Sequence, residues 1–202
     1  MIKKIFNLKF AIRNCKAGFS YVELIVVLSI FATLSSVVIF NYGDFQDRVD
    51  IKNLASDIAL KIVEAQKSST NGVLPLSGYV STWKPAYGVY FDTSTPASQK
   101  QFIYFADLNN DFQYNESAID TISITKNNFI YEIDKCTDDA CSSPSSVNLL
   151  SIVFKRPDSS ANFYNSSVKL TPDPDHIQII IKSPKGAMAY IKIYPSGRVQ
   201  VN

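Results

Sequence analysis

Leu24-Ile25-Val26-Val27-Leu28-Ser29-Ile30-Phe31-Ala32-Thr33-Leu34-Ser35-Ser36-Val37-Val38-Ile39-Phe40 contains no charged residue, no proline and no glycine. With its flanks the run reaches about the ~20 residues that a helix needs to cross a bilayer. Ahead of it lie Lys3, Lys4, Lys9, Arg13 and Lys16, with no acidic residue before Phe19. Behind it lie Asp44, Asp47, Arg48 and Asp50. By the positive-inside rule this asymmetry predicts a cytoplasmic N-terminus and a C-terminal part on the far side of the membrane. An ordinary secretory signal is a poor match, because the apolar run ends in Ile39-Phe40-Asn41-Tyr42 without a small-x-small cleavage site. A plain uncleaved anchor remains open on hydropathy alone.

The weakly basic total, +2, is a property of this N-terminal stretch, which holds five of the 20 basic residues and none of the 18 acidic ones before Phe19. The remainder is slightly acidic, so attraction of the whole surface to nucleic acid is not expected. A length of 202 residues allows one globular domain and one additional long element.

The residues leading into the span are Lys16-Ala17-Gly18-Phe19-Ser20-Tyr21-Val22-Glu23. They resemble the processing motif of type IV prepilins and type II secretion pseudopilins. In that family a basic leader ends in Gly, a Phe becomes the new N-terminus, and a Glu stands five residues into the mature chain. The resemblance implies a leader over residues 1–18, cleavage between Gly18 and Phe19 by a prepilin peptidase, and N-methylation of Phe19. Glu23 stands out on physical grounds as well. An acidic side chain in an apolar helix costs on the order of 2.5–3.5 kcal/mol and calls for a partner. In the family that partner is the N-terminal amine of a neighbouring subunit, so Glu23 would set the register of assembly through the Phe19 amine of the next protomer. The alternative is that Glu23 lies at the interface and reaches the headgroups. Many major pilins carry a proline about two dozen residues into the mature helix; Phe40-Asn41-Tyr42-Gly43 stands there instead.

Beyond the membrane-length run, Phe45, Val49, Leu54, Ile58, Ile62 and Ala65 recur at helical spacing, opposite Asp47, Asp50, Asp57, Lys61, Glu64 and Lys67. The spacing predicts one helix from Phe19 to about Thr70, a span of roughly 75 Å. Residues 19–42 would form its membrane half and 43–72 an amphipathic continuation. Asn71-Gly72 is a helix stop, with Pro75 just beyond.

Residues 73–202 then read as an exported, β-rich domain. Strands are predicted at Tyr87–Phe91, Gln101–Ala106, Thr121–Thr125, Phe129–Asp134, Leu149–Lys155, His176–Lys182, Met188–Tyr194 and Arg198–Val201. Turns at 183–186 and 195–197 suggest an antiparallel meander on which the apolar helix face packs. The fold class expected is α+β, with a long N-terminal helix on an antiparallel sheet. The ending Ala189-Tyr190-Ile191-Lys192-Ile193-Tyr194-Pro195-Ser196-Gly197-Arg198-Val199, with Tyr87-Gly88-Val89-Tyr90-Phe91, is similar to the GspH/FimT group of minor pilins and pseudopilins. The family resemblance implies a pilin-like fold.

Removal of the leader would discard Cys15 and leave Cys136 and Cys141, an even pair that favours a disulfide. Reduced, the two thiols would be half a metal site, with no second pair or neighbouring histidine in sequence to complete it. Asp107, Asn109 and Asp111 alternate as calcium loops begin, but Phe112 replaces the expected Gly and Ala118 stands at the twelfth position, so an Asp/Asn-rich turn is the better reading. The single histidine, His176, is expected at the surface, and no nucleophile turn accompanies it, so no enzyme activity is expected. No cofactor is implied. Lys169, Lys182, Lys185, Lys192 and Arg198 would be the contacts if the domain captured DNA, though a solvated sheet face explains them as well. The expected partners are other pilin or pseudopilin subunits, the prepilin peptidase, a membrane assembly platform with its separate ATPase, and the lipid bilayer before assembly. The expected location is the bacterial inner membrane, single-pass, and then a pilus or pseudopilus.

Overall fold

The structure is a computed structural model that describes residues 18, 20–74, 84–114, 118–166 and 168–202. Residues 1–17, with Cys15, and Phe19 lie outside the described residues. Helix α1 runs over Tyr21–Asn71, and the chain divides into two compact units, Met1–Gly43 and Asp44–Asn202.

In the first unit the described residues are almost entirely helical, and α1 is long and apolar enough there to cross a membrane. Leu24, Val26, Phe31, Leu34, Val38 and Phe40 are all exposed. A helix that is apolar all round has no single core-facing stripe and suits lipid or other helices better than water. Two hydroxyls within the run are satisfied locally: Ser29 Oγ donates to the Val26 carbonyl and Thr33 Oγ1 to that of Ile30, both at 2.8 Å. Such back-bonding removes the cost of polar groups in an apolar setting.

The second unit is built on the rest of α1 and eleven strands among the described residues: β1 Ala86–Asp92, β2 Gln101–Asp107, β3 Ala118–Ser123, β4 Phe129–Cys136, β5 Ser145–Ser146, β6 Leu149–Phe154, β7 Ala161–Asn165, β8 Val168–Lys169, β9 His176–Lys182, β10 Met188–Ile193 and β11 Val199–Val201. They form two antiparallel sheets, ordered β3-β2-β1-β6-β7-β8 and β11-β10-β9-β4-β5. The expected C-terminal meander is present as β9-β10-β11, and neighbouring strands also pair in sequence at β1-β2-β3 and β6-β7-β8, but the one sheet expected is two. Pairing of β1 with β6 and of β4 with β9 joins segments far apart in the chain, which turn chemistry between neighbouring strands cannot announce.

One core draws on both sheets and the helix. Ile58, Ile62 and Ala65 of α1 are fully buried as expected, but so are Ile51 and Ala55, while Phe45 is exposed and Leu54 only partly buried. The set 51-55-58-62-65 keeps a four-three alternation close to 3.6 residues per turn. The predicted start at Phe45, Val49 and Leu54 falls out of phase with it. Against this face stand Tyr87, Val89 and Phe91 of β1, Leu150, Ile152 and Phe154 of β6, and Ile177, Ile179 and Ile181 of β9. The strict alternation in each strand is what places them on one side.

Polar contacts fasten the helix end. Ser69, fully buried, donates to the Phe154 carbonyl at 2.7 Å, and Tyr87 Oη donates to the Val73 carbonyl at 2.9 Å. Gly72 adopts φ +61 and its amide donates to Ser69 O at 2.9 Å, followed by Val73 N to Ser68 O at 3.1 Å, the left-handed stop foreseen at Asn71-Gly72.

On the second face of the six-stranded sheet, Ala86, Ile103, Phe105 and Val153 form a smaller cluster with Tyr90, Phe112, Tyr114 and Tyr164. Gly88 permits it. A Cβ there would come within 2.6 Å of the Ile152 carbonyl oxygen and 2.8 Å of the Phe105 ring.

Asp134 is a buried carboxylate in β4, and burial, reinforced by Glu132, pushes its pKa up. A raised folded pKa means that the stabilising contribution is present below the unfolded value, near 3.8, and is lost as pH rises through the folded one. Asp134→Asn should therefore melt higher than wild type at neutral pH, and the gap should close on acidification. Equal melting temperatures across that range would show that the ionised form is fully compensated in the fold.

Candidate functional site

Glu23 occupies the first turn of α1, where the helix dipole favours a negative charge, and it is exposed among exposed apolar neighbours. The Leu24 amide donates to Ser20 O at 3.1 Å, so regular helix geometry is already in place beside it. Gly18 is exposed, and a Cβ added to it would meet nothing within 4 Å. Packing therefore places no demand for glycine at this position. Phe19, the other half of the expected cleavage pair, is outside the described residues.

The five cations considered for nucleic acid are each engaged nearby. Lys182 Nζ lies 4.7 Å from the centre of the Tyr131 ring, and the Arg198 guanidinium 3.8 Å from that of Tyr194. Lys185 Nζ pairs with Asp47 Oδ2 at 3.5 Å, and Lys192 Nζ donates to the Asp139 carbonyl at 2.7 Å. Lys169 pairs with Asp173 at 3.1 Å. Phosphates would have to compete with these contacts at every position.

The Asp107 loop closes on itself. Asp107 is 1% exposed, and its Oδ1 accepts from the amides of Asn110 at 2.7 Å and Asp111 at 3.3 Å, while Oδ2 accepts from Phe112 at 3.0 Å. Burial pushes its carboxyl up, against the lowering effect of these amides. Asn109 Nδ2 donates to Asp111 Oδ2 at 2.8 Å. The oxygens of the calcium candidates Asp107, Asn109 and Asp111 are thus occupied by donors of their own loop, as in an Asp/Asn-rich turn. The turn has a structural product. Asn110 and Phe112 take left-handed φ of 63 and 64, which brings the Phe112 ring to 5.5 Å from Tyr164; Tyr114 stacks 5.2 Å from Tyr90.

Cys136 and Cys141 are joined by a disulfide with a Cα–Cα distance of 4.8 Å. The small loop is braced by Asp138, whose Oδ1 accepts from Ser142 N at 2.8 Å and whose carbonyl accepts from Cys141 N at 3.0 Å. The Ser142 amide, its largest influence, holds the Asp138 carboxyl below the usual range.

His176 is not at the surface, as its Pro/Asp-rich surroundings suggested, but fully buried. β4 extends to Cys136, two residues past its predicted end, and pairs there in register with His176 at the start of β9. The ring lies 5.5 Å from that of Tyr194, and Nδ1 is 3.0 Å from Asp175 Oδ2. The histidine that the sequence places far from the cysteines is therefore their neighbour in the fold. Both Sγ atoms and a ring nitrogen of His176 lie within 4.8 Å of one another, and ligand atoms of Asp139, Asp175 and His176 form a second group of the same size. The 39 residues between Cys136 and His176 carry no sequence signal for this meeting; the non-local strand pair produces it.

Comparison of the chain with protein-family models, curated proteins and solved structures gives no match in any of the three.

Proposed function

We propose that this chain is a prepilin-type structural subunit with a pilin-like fold, processed by a prepilin peptidase and assembled through its N-terminal helix into a type IV pilus or a type II secretion pseudopilus. The observation that carries the reading is the helical run Tyr21–Phe40, apolar on all sides, with a lone carboxylate, Glu23, in its first turn. Before assembly the bacterial inner membrane covers that surface, with the β-rich unit outside; in the filament neighbouring helices cover it. Glu23 then meets the Phe19 amine of an adjacent protomer, which offsets the cost of removing its charge from water.

Gly18 supports the reading in a different way. With open space around it, the glycine answers to an enzyme that reads the sequence, not to the fold. The second unit adds an open, largely apolar groove of 550 Å³ beside Phe45, Val49 and Met188, where a neighbouring subunit's helix can lie. No catalytic role and no cofactor belong to this proposal; assembly energy comes from a separate ATPase acting through a membrane platform. DNA capture is the lesser reading, because Lys182, Lys185, Lys192 and Arg198 are engaged with Tyr131, Asp47, Asp139 and Tyr194.

The test is incorporation. Filaments sheared from cells of the source organism should contain wild-type chain, and Glu23→Ala should lower its content about tenfold or more while the membrane pool is kept, a loss of about 1.4 kcal/mol or more per subunit added. Equal incorporation of the two chains would remove Glu23 from the assembly step.

A further inference from the structure

We propose that the cystine loop is the closed state of a zinc site: on reduction of the Cys136–Cys141 bond, the two thiolates and His176 Nε2 bind a zinc ion. This rests on the second unit alone and stands apart from the filament reading.

The first observation is placement. Three ligand atoms of the soft and borderline kinds that zinc prefers already lie within 4.8 Å of one another. In a tetrahedral site with Zn–S near ~2.3 Å and Zn–N near ~2.0 Å, neighbouring ligand atoms sit roughly 3.5–3.8 Å apart. Parting the two sulfurs to that spacing moves only a short loop, whose residues 137–140 are exposed.

The second observation is independent of the cysteines. His176 Nε2 is buried and has no hydrogen-bond partner. A buried orphan of this kind costs on the order of 1–3 kcal/mol and calls for an explanation. Its companion Nδ1 is held by Asp175 Oδ2 at 3.0 Å. A carboxylate on Nδ1 fixes the proton there and leaves the Nε2 lone pair free, the arrangement that commonly supports a metal-bound imidazole. Asp139, whose carboxylate lies within 4.8 Å of the His176 ring, is the candidate fourth ligand. Lys192 holds its carbonyl, and Tyr194 Oη donates to its Oδ1 at 3.4 Å.

The chemistry balances with a dithiol as the reductant. The dithiol supplies two electrons and two protons, becoming a disulfide as Cys136 and Cys141 become thiols. Zinc binding then releases both thiol protons to solvent. Thiolate and imidazole donors select zinc over calcium or magnesium.

The experiment uses the full chain in detergent, carrying Cys15→Ser so that no third thiol contributes. The chain is reduced with a dithiol, freed of it without oxygen, and titrated with Co²⁺, then with Zn²⁺. We expect one cobalt per chain, with thiolate charge-transfer and tetrahedral d–d absorption, displaced by zinc, and no such spectrum from the oxidised chain. Asp175→Asn, at an exposed carboxylate, should weaken binding about 10–100-fold. His176→Gln, with its fold checked in the oxidised state, should weaken it further. Absence of cobalt binding by the reduced chain would overturn the proposal. So would equal binding by the oxidised chain, which would assign the metal to Asp139 and Asp175, or unchanged affinity in both variants, which would leave the thiols as a chelator without the histidine.

Discussion

Ile62→Ala should lower the unfolding free energy of the second unit by about 3–4 kcal/mol, measured by urea unfolding of the full chain in detergent. Ile62 is fully buried and sits in the helix face that meets both sheets, with Ile58 and Ala65 one turn away on either side. Alanine keeps the helix, since its propensity is higher, so the loss isolates packing. Three methyl or methylene groups leave the core and a cavity remains, because strands on both sides restrict collapse. The control is Leu60→Ala: Leu60 is 66% exposed on the same helix and should change stability by no more than about 0.5 kcal/mol. Similar losses at both positions would mean that this helix does not pack as described.

Asp107→Ala should cost about 2–3 kcal/mol, since one carboxylate satisfies three amides of its loop and hydrogen bonds to a charged group are the stronger kind. The consequence reaches beyond the loop. Without the carboxylate, nothing balances the left-handed backbone at Asn110 and Phe112, and Phe112 and Tyr114 lose their hold over Tyr164 and Tyr90. Faster hydrogen exchange along β1 and β2 should accompany the lower stability. Addition of calcium should not restore the wild-type value. A calcium-dependent stability in the wild type would show instead that these oxygens bind the ion.

Local features of this fold were legible in the sequence because they depend on local chemistry. The helix was expected over 19 to about 70 and observed over Tyr21–Asn71, since the apolar run and the Asn71-Gly72 stop act on their own neighbours. Eight strands were found where β-branched and aromatic residues cluster. β5, β7 and β8 escape that reading because Ser145-Ser146 and Val168-Lys169 are only two residues long, and because asparagines bracket the aromatic pair of Ala161-Asn162-Phe163-Tyr164-Asn165; all three owe their conformation to a partner strand. The helix phase differs at its start because the apolar Phe45 and Val49 set a stripe out of line with the buried Ile51, and Ala55, which would link Ile51 to Ile58, contributes little to a hydropathy pattern.

The cystine was legible because a spacing of five residues confines the two thiols together. The buried state of His176 was not. The Pro172-Asp173-Pro174-Asp175 surroundings point to a turn, and the chain bends there, but the strand after it pairs with the end of β4 and takes the imidazole inside. Chemistry assembled by non-local pairing is invisible to any reading that moves along the chain.

The prepilin reading is tested most directly by the intact mass and N-terminal sequence of the membrane-extracted protein, co-expressed with a prepilin peptidase, for wild type and Gly18→Ala. The account predicts a mature chain beginning at N-methylated Phe19 in the wild type and an uncleaved chain in the variant, whose fold is untouched because nothing packs on Gly18. A wild-type chain that keeps its first 18 residues, or is cut elsewhere, would contradict it and leave a single-span anchor bearing a two-sheet domain.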